Sequence, residues 1–196
     1  MPMEKFSPNT IFAPAFSSNE LCMISGIERK LANLWLERGI IQPTRTEQLT
    51  VRSRPYFSCV AIFKTRLIRE LSELLDIATS SSRIAAMGAE AADNPSAYSP
   101  DIRRIVHVAA SEGWMHGSAR AAERGKPLNF YAGLSRSEKC WEFQMEIDVR
   151  KLLGRFGNIP FVLIPIGDIF DAVYLKCKSA FENRKQTKQS EADAEK

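Results

Sequence analysis

The stretch that decides the fold is SNELCMISGIERKLANLWLERGIIQP, Ser18–Pro43, together with the basic aromatic segment VRSRPYFS, Val51–Ser58, that follows it. Ser17-x-x-Glu20 fits a capping box, in which a Ser oxygen and a Glu carboxylate satisfy the free amides of a helix start. Leu21, Ile24 and Ile27 then recur at helical spacing and are expected to face inward. Gly26 ends this helix and permits the left-handed backbone of a tight turn. A second helix is predicted from about Glu28 to Arg38, with Leu31, Leu34 and Trp35 on one stripe and Arg29, Lys30 and Asn33 off it. Gly39 stops it, Ile40 and Ile41 pack back, and Pro43 forbids its continuation.

Working outward, residues Thr44 to Phe57 read as a small hairpin bearing Arg45, Arg52 and Arg54. Ser58 caps a third helix reaching about Ile77, with Val60, Phe63, Leu67, Leu71 and Leu74 as its apolar stripe and Lys64, Arg66 and Arg69 near its start or on its flank. A fourth helix is expected from about Ser80 to Ala91, and Asp93-Asn94-Pro95-Ser96 is the best domain boundary. Ser99-Pro100-Asp101 opens a helix through Ile102, Ile105, Val106 and Ala109, which Gly113 and Gly117 weaken.

From Pro127 the period changes. Leu128–Ala132 and Trp141–Ile147 read as strands joined by the polar loop GLSRSEK. A short helix is predicted at Val149–Phe156, a strand at Phe161–Ile164, and a helix from Asp168 to about Phe181 with Ile169, Val173 and Phe181 inward. The expected fold class is mainly α with a small α+β C-terminal part. Its units are a loose lead-in (1–15), a winged helix-turn-helix (16–92), a strand–strand–helix–strand–helix unit for dimerisation or regulation (97–182), and a disordered charged tail (183–196).

Composition narrows the function. The formal net charge is +4, too mild to imply nucleic-acid binding by itself, so the placement of the basic residues has to carry that reading. The longest apolar run, Ile159–Ile166, is strand-sized and interrupted by prolines, and the N-terminus MPMEKFSP has no apolar signal core. Cys22, Cys59, Cys140 and Cys177 lie far apart and match no zinc spacing, which reads as reduced thiols of a cytoplasmic protein. His107 and His116 lack partners at ligand spacing, so no metal and no cofactor is expected. Trp114, Tyr131, Trp141 and Phe143 are read as core aromatics rather than a ligand pocket. There is no GxSxG, P-loop or GxGxxG, and Asp148, Asp168 and Asp171 read as helix caps or first-turn acids, so no catalytic residues are assigned.

Cap, helix, glycine, helix, glycine, apolar pair, proline, basic hairpin and helix together form a device for placing one helix in a DNA groove. On these residues the first third of the chain resembles the DNA-binding domain of MerR-type regulators. The segment that carries the likeness is GIERKLANLWLERGIIQP, Gly26–Pro43, with Trp35 where the family often has an aromatic and Phe57-Ser58 opening the next helix. The resemblance implies that the second helix reads the major groove and that the hairpin wing holds the backbone. Arg29, Lys30 and Asn33 would then face bases, and Arg52, Arg54 and Tyr56 phosphates, with Arg45, Lys64 and Arg66 near the same surface. The sequence departs from the family where Pro55 stands before Tyr56 and where short helices replace a long dimerising coiled coil. The expected partners are double-stranded DNA, a second copy, and RNA polymerase or another regulatory protein, with no membrane. Two alternatives stay open: an architectural DNA protein of recombination or packaging, and a protein-interaction adaptor that no longer binds DNA.

Overall fold

A computed structural model of the chain describes residues 5–48, 53–74, 102–126, 128–136 and 141–194. Among them the elements are β1 (Phe16–Ser17), α1 (Ser18–Ser25), α2 (Arg29–Glu37), β2 (Arg45–Gln48), β3 (Ser53–Phe57), α3 (Cys59–Leu74), α4 (Ile102–Ala109), α5 (Glu112–Glu123), β4 (Tyr131–Arg136), β5 (Trp141–Glu146), α6 (Val149–Phe156), β6 (Phe161–Ile164) and α7 (Ile166–Ala194). The described chain is mainly helical, with two small antiparallel sheets of strand order β1-β3-β2 and β5-β4-β6. No helix among the described residues is long and apolar enough to cross a membrane.

The helix starts follow local chemistry. Ser17 N and Oγ both donate to Glu20 Oε2 at 2.8 Å, and Glu20 N reaches Ser17 Oγ at 3.4 Å, completing the capping box of α1. Ser58 Oγ accepts from Ala61 N at 3.1 Å at the start of α3, while Asp148 Oδ1 accepts from Arg150 N at 2.9 Å ahead of α6. The break between α4 and α5 falls at Ala110-Ser111, and Gly113 and Gly117 lie inside α5 rather than breaking it.

One core joins the two halves of the chain. Trp114 of α5 packs 4.6 Å from Phe130, 5.5 Å from Phe170 of α7 and 6.2 Å from Phe63 of α3 (ring centroids). Phe63 and Phe170 meet edge to face at 5.4 Å. Helix α7 therefore runs along α1, α3 and α5, and its buried residues Phe170, Val173, Tyr174, Cys177 and Phe181 share a cluster with Leu21, Ile24 and Leu67.

Several expectations are corrected. Residues 5–15 are not a loose lead-in: Phe6 and Ile11 are core, and His116 Nδ1 lies 2.9 Å from the Pro8 carbonyl. The tail is helical to Ala194 because α7 continues past Asn183. On α2 the residues that bury are Ala32 and Trp35, with Leu31 and Leu34 only partly covered. Strand β4 lies at Tyr131–Arg136, so GLSR belongs to it and not to a loop; Ala132 and Leu134 anchor it in the core. The expected helix at Ser80–Ala91 and the boundary at Asp93–Ser96 lie outside the described residues.

Candidate nucleic-acid interface

The α1–α2 turn is built at Gly26, whose φ of +72° suits glycine, and its N–H bonds the Cys22 carbonyl at 2.9 Å. Two arginines of α3 hold this turn from below. Arg66 Nη1 donates to the Ser25 carbonyl at 3.1 Å, and Arg69 Nη1 donates to the Gly26 carbonyl at 2.7 Å. Each is steadied one helical turn on, Arg66 by Glu70 and Arg69 by Glu73 at 2.7 Å. The carbonyls at the end of α1 carry partial negative charge, so guanidinium groups are suitable caps there. This clamp fixes the angle at which α2 leaves the turn.

Helix α2 buries Ala32 and Trp35, and the chain folds back over it, with Ile40 N and Ile41 N both bonding the Trp35 carbonyl at 2.9 and 3.3 Å. Lys30 and Asn33 follow at spacings that place them opposite Trp35, Arg29 stands at the rim of the buried face one turn before Ala32, and all three are exposed. Glu28, the N-cap residue, makes no side-chain capping bond. The first-turn amides of α2 thus stand beside Arg29 and Lys30, an end that favours an incoming anion. Arg38 is exposed at the other end of the helix, and Glu37 precedes it. Cys22 is half-buried near this surface; burial pushes its thiol up, and the Arg29 charge partly offsets that.

The hairpin gathers the second group. Strands β2 and β3 pair antiparallel with Arg45 opposite Tyr56 and Glu47 opposite Arg54. Alternation along the strands puts Arg45, Glu47, Arg54 and Tyr56 on one face, while Phe57 turns to the other and is fully buried. Arg45 and Arg54 are exposed and Tyr56 is half-buried. Arg45 Nη2 lies 3.5 Å from Glu47 Oε1, so the basic face is partly neutralised. Arg52 lies outside the described residues. Lys64 is half-buried on α3, and Arg66, assigned from sequence to the phosphate-facing group, is instead engaged by the turn and Glu70.

Three roles have no signal in the sequence. Arg66 and Arg69 act on residues more than forty positions away, which no local pattern signals. Arg184 of α7 donates to the Ala15 carbonyl at 2.9 Å and lies 3.1 Å from Glu20 Oε1 and about one ring contact, 5.4 Å, from Phe16. The carboxylate that caps α1 is therefore held from behind by the last helix. Arg184→Ala is expected to lower stability by about 1–2 kcal/mol, since it removes a charge-assisted hydrogen bond and a cation–π contact from a partly screened site. Chemical denaturation followed by circular dichroism measures this, and an unchanged midpoint would remove Arg184 from the account of α1.

Cys59 and Cys177 are buried free thiols; burial, and then the neighbouring Cys59, push the Cys177 thiol well above its ordinary value, which keeps it protonated and unreactive. Among the described residues no three His, Cys, Asp or Glu side chains gather as a metal cage. No protein-family model and no curated protein matches the chain.

Proposed function

We propose that this chain is a sequence-specific DNA-binding transcriptional regulator, with a winged helix-turn-helix made of α1, α2, the β2–β3 hairpin and α3. In this reading it acts in the cytoplasm as a homodimer, because one recognition helix reads too few base pairs for useful specificity. The observation that carries the reading is the outward set on α2. Arg29 and Lys30 can reach guanine acceptors, Asn33 can pair with adenine, and Trp35 on the far side holds the helix down. Arg54, Arg45 and Tyr56 on one hairpin face suit phosphate contacts that set register without reading sequence.

The salt dependence of binding to duplex DNA tests this. Binding should weaken steeply as salt rises, because bound phosphates release condensed counterions. Arg54→Ala is expected to weaken cognate and random duplexes alike and to lower the logarithmic salt slope by about one. A slope unchanged by Arg54→Ala would take Arg54 out of the phosphate contacts.

One observation favours a second reading, an adaptor that binds another protein. Glu28, Glu37 and Glu47 stand among the basic residues of α2 and the hairpin, and they would repel phosphate. That reading predicts no salt-dependent affinity for DNA at all.

A further inference from the structure

The sheet β5-β4-β6 has two edges of different character. Both outer strands run antiparallel to the central β4, and α6 carries the chain across from β5 to β6. At the β5 edge, Glu146 Oε1 is met by Arg155 Nη2 at 2.7 Å. At the other edge, β6 reads Phe161-Val162-Leu163-Ile164, and no charged residue occurs between Ile159 and Gly167. Sheets ordinarily block an open edge with charges, bulges or a covering element. No further strand pairs with β6 among the described residues.

Apolar side chains collect at this edge. Leu163 shares a sheet face with its register partner Gly133 and with Phe161, whose ring stacks on Phe156 of α6 at 4.6 Å. On α6, Leu152 and Phe156 point inward, and Arg155 on one flank reaches β5. Helical spacing then puts Leu153 on the other flank, toward β4 and β6. Leu153, Ile159 and Leu163 are 53%, 54% and 39% exposed.

We propose that β6 is the self-association edge of this protein. Two copies pair β6 antiparallel with its own image about a two-fold axis, giving one six-stranded sheet with Leu153, Ile159 and Leu163 of both copies at the seam. A second copy is the occupant for two reasons. An antiparallel strand facing its own image is self-complementary by symmetry, and a charge-free strand sets no like charges opposite each other. Pro160 and Pro165 flank β6 and lack the N–H that a longer ladder needs, so the pairing is confined to the strand and closes as a dimer. The biological use of this dimer rests on the two-copy reading of the DNA-binding surface; its location rests on the edge itself.

Size-exclusion chromatography with light scattering, on the full chain without DNA, tests it. The wild type is expected at about twice the chain mass of 22.1 kDa. Leu163→Lys and Leu163→Glu are each expected to elute as monomers with unchanged circular dichroism. Their equimolar mixture should return to the dimer mass, as Lys of one copy meets Glu of the other. Leu153→Lys, on an exposed helix flank, is expected to give the same loss and serves if the strand variants do not fold. A wild type that stays monomeric at its highest soluble concentration overturns the proposal, as does a dimer that survives both Leu163→Lys and Leu153→Lys. DNA is absent throughout, so failure here leaves the DNA-binding reading to its own measurement.

Discussion

Trp35→Ala is expected to destabilise the protein by about 3–5 kcal/mol, enough to unfold a marginal domain. Trp35 is completely buried and is the largest fully buried side chain among the described residues. Its removal leaves a void between α2, the fold-back at Ile40 and Ile41, and the core beneath, and backbone bonded at both ends of that turn cannot collapse into it. Because Phe63, Trp114 and Phe170 link the N-terminal helices to α5 and α7, the loss should appear as one earlier transition of the whole chain rather than melting of the first third. Trp35→Phe is the informative control. The indole Nε1 has no hydrogen-bond partner among the described residues, so Phe forfeits some packing but strands no polar group. Urea denaturation read by circular dichroism should place Trp35→Phe well above Trp35→Ala. Equal midpoints for Trp35→Ala and wild type would mean that α2 is not anchored through this side chain.

The second large effect concerns reading rather than folding. Arg29→Ala and Asn33→Ala are each expected to cost about 1–3 kcal/mol at a cognate site, with little change on random DNA and none in stability, because both side chains are exposed. A competition titration between cognate and scrambled duplexes separates this from the hairpin effect, in which Arg54→Ala weakens both alike. Equal loss on the two duplexes after Asn33→Ala would make Asn33 a backbone contact and leave specificity to other residues.

Much of this arrangement was legible where the signal was local. The capping box at Ser17 and Glu20, the glycine turn at Gly26, the hairpin between Thr44 and Phe57, α6 at Val149–Phe156 and β6 at Phe161–Ile164 follow from caps, turn chemistry and short periodic runs. The exposed set on α2 was legible for the same reason, since helical spacing alone separates Arg29, Lys30 and Asn33 from Trp35. The stripe beneath departs from helical spacing of large apolar residues only in part: Trp35 is buried and Leu31 packs against the core, but the small Ala32 takes the inner place and Leu34 is only partly covered.

What stayed hidden depends on contacts between distant parts of the chain. Phe6 and Ile11 show no period, so nothing local marks residues 5–15 as core, yet Phe6 packs 5.3 Å from Tyr174 of α7. The stretch after Asn183 is charged enough to suggest disorder, but Glu, Lys, Gln, Arg and Ala are also strong helix formers, and α7 continues through them. From sequence, Arg66 reads as a phosphate contact because it is basic and near the right helix. Its partners within the chain, the Ser25 carbonyl and Glu70, become visible only once α3 lies under the α1–α2 turn.

In the proposed function α2 reads DNA sequence. The most direct test is selection of bound duplexes from a random pool, using the purified full-length protein. The expected result is enrichment of a short motif, repeated in two half-sites whose spacing reports the dimer geometry, and loss of that motif when the selection is repeated with Arg29→Ala or Asn33→Ala. No enrichment at low salt, where non-specific phosphate binding is strongest, would contradict it and leave α2 and the hairpin as a surface for another protein.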